Sequence, residues 1–254
     1  MKAIVVDLDR TLLRSDKTIS SYTRRSLLTC KENGIKIMVA TARPLRTALH
    51  YCEMIGADAM VVSNGARVIC GDRRMEYGIC RSSAVALLNA LARMPELTVT
   101  LETGDVAYSN RPVDEYETIL SDDLIEVAER EGALKILVTF SGEAALETVK
   151  ASLTDDLYYT VANGHLIQIM DKQATKWNGI KAMLAFCNCR SAEVAYFGDD
   201  NDDIEPIKMC GLGVAVANAI DEVKDVADDI ADSNDADGVA KYIERNILCL
   251  DWKK

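Results

Sequence analysis

Five uninterrupted apolar runs constrain this chain more than anything else in its sequence: KAIVV (2–6), IKIMVA (35–40), AMVVS (59–63), EVAYFGDD (193–200) and GLGVAV (211–216). A strand with one wetted face alternates apolar and polar residues; these runs do not, so both faces are expected to be buried. Amphipathic segments separate them. SSYTRRSLLTCKENG offers a serine N-cap, Ser20 or Ser21, and Gly34 as its stop, while PLRTALHYCEMIG runs from Pro44 to about Gly56. Buried strands alternating with helices specify an α/β, doubly wound, parallel-sheet core. After the third strand, ARVICGDRRMEYGI reads as a hairpin turning at Gly71–Asp72.

The pattern changes in the middle of the chain. LTVTLE and LKILVTF alternate polar and apolar residues, and helical runs such as SSAVALLNALARM and SGEAALETVKASL accompany them. That pattern predicts antiparallel strands with helices on one face. The organisation expected is therefore a core of residues 1–80 and 167–254, with an α/β cap of residues 81–166 inserted into it. DDIADSNDADG (228–238) reads as a short acidic loop region.

Composition narrows the function classes. Forty Asp and Glu against 29 Lys and Arg give a net charge of -11, a poor surface for nucleic acid or an anionic membrane. No apolar run approaches the roughly 20 residues of a membrane span, and MKAIVV leads straight into charged residues, unlike a signal peptide. The eight cysteines are scattered, with only Cys187 and Cys189 close in sequence. Reduced thiols and a cytoplasmic location are the expectation. With only His50 and His165 available, a histidine-rich zinc site or a Ser-His-Asp triad is disfavoured. Oligomeric state is not legible.

Chemistry then rests on carboxylates. Asp7 and Asp9 follow the first buried run, where a parallel sheet opens onto its ligand crevice. Asp199, Asp200, Asp202 and Asp203 follow another such run. Two carboxylates 4 Å apart repel by roughly 4 kcal/mol at an effective dielectric near 20. A hard divalent cation relieves that repulsion, and Mg²⁺ suits an open oxygen-lined site that meets phosphate. Thr41 and Arg43 lie just past the second run, and Lys176 opens a helix after the middle region, with Lys172 and Lys181 as competitors. An aspartate nucleophile, a hydroxyl, an ammonium and a metal-binding acidic group together describe phosphoryl transfer.

DLDRTLL, ATARP, TKWNGI and GDDNDD resemble the four motifs of the haloacid dehalogenase superfamily of phosphohydrolases. VVSNGARV, GVAVANA and DADGVAKYIE are similar to its Cof-type, sugar-phosphatase-like branch, which carries an α/β cap between the second and third motifs. The resemblance implies Asp7 as nucleophile, Asp9 as general acid and base, and Thr41 and Lys176 on the phosphoryl oxygens. It further implies Mg²⁺ on Asp7, the Asp9 carbonyl and Asp199, with Asp203 orienting its waters. Asn64 and Arg43 would lie near the substrate, a small phosphorylated metabolite such as a sugar phosphate or phosphorylated cofactor. Arg10, Ala42 and Trp177 depart from the usual pattern, and Asp202 stands where asparagine would contact phosphate.

Three other readings compete. A response-regulator receiver carries its acceptor aspartate after the third strand, where this chain has Ser63 and Asn64. A phosphomannomutase-like transferase shares the nucleophile and the capped architecture. A non-catalytic phosphate binder has no need of a second carboxylate beside Asp7. Glu102, Tyr108 and His165 are unranked candidates for contacting the leaving group.

Overall fold

Strand Ala3–Val6, fully buried, is the middle of the sheet that positions the site. It pairs in parallel with Lys36–Ala40 on one side and Val194–Gly198 on the other. Ala59–Val62 continues the first side in parallel, while Leu212–Val216 and Asp229–Ala231 continue the second. Arg67–Cys70 joins antiparallel to Ala59–Val62, and Arg73–Glu76, beyond the turn at Gly71–Asp72, completes the eight-stranded order. The order reverses at Ala3–Val6, which makes its carboxyl end the switch point where a doubly wound sheet opens a crevice. The computed structural model describes residues 1–114, 116–162 and 164–249.

Register decides which residues meet there. Val6 is level with Val39 and with Phe197, so Asp7 is level with Ala40 and Gly198. Thr41 and Asp199 then emerge one residue further on, on either side of Asp7. The Asp7 amide still donates to Phe197 O at 3.0 Å and the Thr41 amide to Val61 O at 2.9 Å, carrying the ladder to the rim. The apolar runs thus have a second consequence: they fix the polar residues that follow them.

Helices close both faces. Helix Ser21–Glu32 is capped by Ser20, whose hydroxyl accepts the Thr23 amide at 2.9 Å, which decides between the two serines. Helix Leu45–Met54 begins directly after Pro44, a residue suited to a helix start. Helix Lys176–Phe186 is capped by Thr175 and buries Trp177, Ile180, Met183 and Leu184 in the core. The sequence missed strand Asp229–Ala231 and gave it to an acidic loop. Only Ala231 of its three residues is buried, so it carries no apolar run.

The chain divides into two units, Met1–Met75 with Thr175–Lys254, and Glu76–Ala174. The second has a six-stranded sheet ordered Leu157–Ala162, Leu166–Asp171, Lys135–Thr139, Thr98–Glu102, Ala107–Ser109, Ile119–Leu120. Its pairings are antiparallel except for the last. Helices Arg81–Leu91, Leu124–Glu131 and Glu143–Ala151 accompany it, and it has its own apolar core. Residues 76–80 and 167–174, expected with the core, cluster with this unit instead. The reason is pairing: Leu166–Asp171 is hydrogen-bonded to Leu157–Ala162 and Lys135–Thr139. No helix among the described residues is long and apolar enough to cross a membrane.

Candidate active site

Asp7 leaves the central strand into a wide turn, Leu8–Leu12, closed by the Leu12 amide on Asp7 O at 3.2 Å and the Leu13 amide on Leu8 O at 2.8 Å. Inside it Arg10 takes φ 58°, a left-handed conformation that glycine adopts at less cost. Asp7 is 6% exposed. Its Oδ1 accepts Lys176 Nζ at 3.1 Å, and the same ammonium reaches Asp202 Oδ2 at 3.2 Å and Asp203 Oδ1 at 2.5 Å. Lys172 and Lys181 are both exposed, whereas Lys176 is buried.

Lys176 reaches that place through close backbone packing. A Cβ on Gly65, which has φ +107°, would stand 2.0 Å from Thr175 O, and one on Gly179 would stand 2.5 Å from Val61 Cγ1. With hydrogens at both positions, the helix start packs against the loop Ser63–Gly65. That loop also carries Asn64, whose Nδ2 lies 3.5 Å from Asp202 Oδ2.

Asp203 is the most enclosed carboxylate of the group. Its Oδ2 accepts the Asp199 amide at 2.8 Å and the Asp200 amide at 3.1 Å, while Oδ1 accepts Lys176 Nζ and the Tyr196 hydroxyl at 2.5 Å each. Four donors fix it beneath Gly198, where a Cβ would lie 2.5 Å from its Cγ. Asp199 presents the third wall, its Oδ1 accepting the buried Thr11 hydroxyl at 2.8 Å, with Arg10 Nε 3.7 Å from Oδ2. Thr11, Tyr196 and Lys17 carried no assignment from sequence. Tyr196 could have been found, because a tyrosine within a fully buried strand needs a partner for its hydroxyl.

One oxygen from each of Asp7, Asp199 and Asp203 lies within 4.8 Å of the others. Three carboxylates, Asp7, Asp202 and Asp203, face the one buried ammonium, while Asp199 has the exposed Arg10 at 3.7 Å. Burial pushes the Asp7 carboxyl well up despite Lys176, with Asp203, Asp202 and Asp199 adding to the rise. Burial likewise carries Asp199 up to about 7 and raises Asp202. Burial alone would lower Lys176, but Asp202, Asp203 and Asp7 hold it firmly protonated. An all-oxygen, negatively overcharged and partly dry pocket fits a hard divalent cation. Asp7 and Asp199 are the side chains that could hold it, with Asp203, whose oxygens already accept four donors, behind them.

Asp9 sits beside this group but is otherwise engaged. Arg43 grips it with Nε at 2.6 Å and Nη2 at 2.7 Å, and Lys17 Nζ adds a contact at 2.8 Å. Burial would raise the Asp9 carboxyl, yet Arg43 and Lys17 outweigh it and hold it below the usual value. Arg43 is itself fixed, its guanidinium 5.1 Å from the Tyr51 ring centroid and its amide donating to Thr41 Oγ1 at 3.2 Å. The Asn64 amide donates to Thr41 O at 3.2 Å, which ties these loops together. The predicted residues thus fall into two adjoining sets, Asp7–Lys176–Asp199–Asp202–Asp203 with Asn64, and Asp9–Arg43–Thr41. Glu102, Tyr108 and His165 belong to the second unit. There Glu102 is buried in register with Lys135, and the Tyr108 hydroxyl donates to Glu131 at 2.8 Å.

A family profile described as haloacid dehalogenase-like hydrolase matches residues 4–243. The chain is 25% identical over 267 residues to the 5-amino-6-(5-phospho-D-ribitylamino)uracil phosphatase YitU of Bacillus subtilis, covering 95% of this chain and 96% of that protein. It is 26% identical over 271 residues to the chloroplastic endoribonuclease YBEY of Arabidopsis thaliana, where 95% of this chain spans 46% of that protein. Among solved structures, a haloacid dehalogenase-like hydrolase from Bacteroides thetaiotaomicron superposes with a TM-score of 0.86 at 25% identity, covering 96% of this chain and 98% of the other.

Proposed function

The chain belongs to the haloacid dehalogenase-like hydrolase family, and from that premise we propose that it hydrolyses small phosphomonoesters with Mg²⁺ through a phosphorylated aspartate. The observation that carries the reading is Asp7 itself: a carboxylate at the switch point, 3.1 Å from a buried ammonium and within 4.8 Å of two further carboxylates.

In this reading an Asp7 oxygen attacks phosphorus, forming a P–O bond as the bond to the leaving alcohol breaks. Asp9 gives its proton to the departing oxygen and later takes one from the water that attacks phosphorus and frees Asp7. For the first step the Asp9 carboxyl has to leave the grip of Arg43 and Lys17, which favours its ionised form, and take up a proton from solvent; the second step uses the carboxylate that the first leaves behind. Lys176 and the Thr41 hydroxyl neutralise the equatorial oxygens of the phosphoryl group, where charge stabilisation does most of the work. Asp7, the Asp9 carbonyl and Asp199 would hold Mg²⁺, with Asp203 behind them; when bound, the ion supplies charge against the phosphate and keeps Asp7 ionised.

The substrates proposed are sugar phosphates or phosphorylated cofactors, consistent with the phosphoribityl compound in the name of the Bacillus relative. The test is phosphate release from p-nitrophenyl phosphate. Release should require Mg²⁺ and be abolished in Asp7→Asn; activity that survives the substitution removes Asp7 from the chemistry.

A further inference from the structure

Cys70 and Cys187 are 117 positions apart in sequence, yet their sulfurs stand 3.3 Å from each other. Both are free, partly buried thiols. Cys70 ends strand Arg67–Cys70, and Cys187 caps the carboxyl end of helix Lys176–Phe186, its amide donating to Met183 O at 3.0 Å. Neighbouring groups hold the two segments together independently of the sulfurs. The Arg73 guanidinium lies 5.8 Å from the Phe186 ring centroid, and its Nη1 donates to Phe186 O at 3.4 Å. Cys189, two residues on, instead directs its thiol to Cys187 O at 3.5 Å.

We propose that Cys70 and Cys187 are a modification site, forming a reversible disulfide that staples the helix bearing Lys176 to the sheet of the catalytic unit. A bonded pair needs its sulfurs about 2.05 Å apart, so roughly 1.3 Å remains to be closed, a distance that side-chain rotation supplies. The oxidant is a peroxide. Cys70 thiolate attacks the O–O bond, giving a sulfenic acid and hydroxide. Cys187 sulfur then attacks the sulfenic sulfur, forming the S–S bond and expelling the sulfenic oxygen, which leaves as water with the thiol proton. Two thiols lose two electrons, and the peroxide gains them. Burial and the neighbouring Cys70 push the Cys187 thiol up to about 12. A dithiol reductant reverses the bond.

The test treats full-length protein with hydrogen peroxide at about pH 8.5, where thiolates form. Remaining thiols are alkylated and the protein is digested without reduction for mass spectrometry. The expected product is a Cys70–Cys187 linked peptide pair that disappears with dithiothreitol. Oxidised protein should also unfold at a higher temperature than reduced protein, by roughly 5 °C or more, because the link closes a long loop. Cys189→Ser should keep both results, while Cys70→Ser and Cys187→Ser should each lose both. A Cys187–Cys189 link, sulfonic acid without any cross-link, or a Cys70–Cys187 link with an unchanged melting temperature would overturn the proposal. None of these readouts uses phosphatase activity.

Discussion

Replacing Lys176 by methionine preserves the bulk of the side chain and deletes its charge. The ammonium is 3.1 Å from Asp7, 3.2 Å from Asp202 and 2.5 Å from Asp203. At an effective dielectric near 20, charges about 3 Å apart attract by about 5 kcal/mol before desolvation is counted. The net cost of removing one member of a buried pair is smaller, about 3–5 kcal/mol, and consists mainly of leaving the partner charge uncompensated. Proton uptake softens the loss here, because burial already pushes the carboxyl groups of Asp7 and Asp202 upward. We therefore expect a destabilisation of about 4 kcal/mol, which for a chain of this size lowers the unfolding temperature by roughly 10 °C. The assay is thermal unfolding followed by circular dichroism in the presence of a chelator. Adding Asp202→Asn to Lys176→Met should recover part of the loss, and Mg²⁺ should rescue Lys176→Met more than wild type. A shift under about 2 °C in chelator would show that the carboxylates do not depend on this ammonium, and the electrostatic account of the site would fail.

Gly65→Ala places a Cβ 2.0 Å from Thr175 O at φ +107°; we expect at least ~2 kcal/mol of destabilisation and a fall in kcat as Lys176 is displaced, measured by urea unfolding and steady-state kinetics. Asp202→Asn removes a carboxylate from beside Lys176 and Asn64, and KM for p-nitrophenyl phosphate should drop roughly 5-fold, about 1 kcal/mol; an unchanged or higher KM refutes the repulsion argument. Asp237 is pushed up by burial, but Arg14, Ser20 and Thr23 more than offset this and leave it lowered. A lowered folded-state value gives stability that is present above the unfolded value near 3.9 and is lost as pH falls through the folded one. Asp237→Asn should thus destabilise the protein near pH 6 and progressively less below about pH 4, read by chemical denaturation.

The sequence made the strand ends legible because a fully buried parallel strand has no choice about its composition. Val5–Val6 leading into Asp7 and Phe197–Gly198 leading into Asp199 announce both burial and the site. Pairing partners were not legible. Leu166–Asp171 has the apolar look of a core strand, yet its hydrogen bonds go to Leu157–Ala162 and Lys135–Thr139, a fact no local pattern contains. Asp229–Ala231 was hidden for the opposite reason, since an edge strand with two exposed residues needs no apolar run. The capture of Asp9 by Arg43 and Lys17, the Thr11 bond to Asp199 and the Tyr196 bond to Asp203 are set by side-chain directions after the loops have folded. Residue type could mark these groups as candidates but could not choose their partners.

The most direct test of the account is a trapping experiment on Asp7. Enzyme mixed with p-nitrophenyl phosphate and Mg²⁺ is quenched in acid during turnover and reduced with borohydride, which converts an acyl phosphate to an alcohol. Peptide mass spectrometry should find homoserine in place of aspartate at position 7, dependent on substrate. Turnover with Asp7 unmodified, or with the reduced residue at Asp9 or Asp199 instead, would contradict the claim that Asp7 attacks phosphorus.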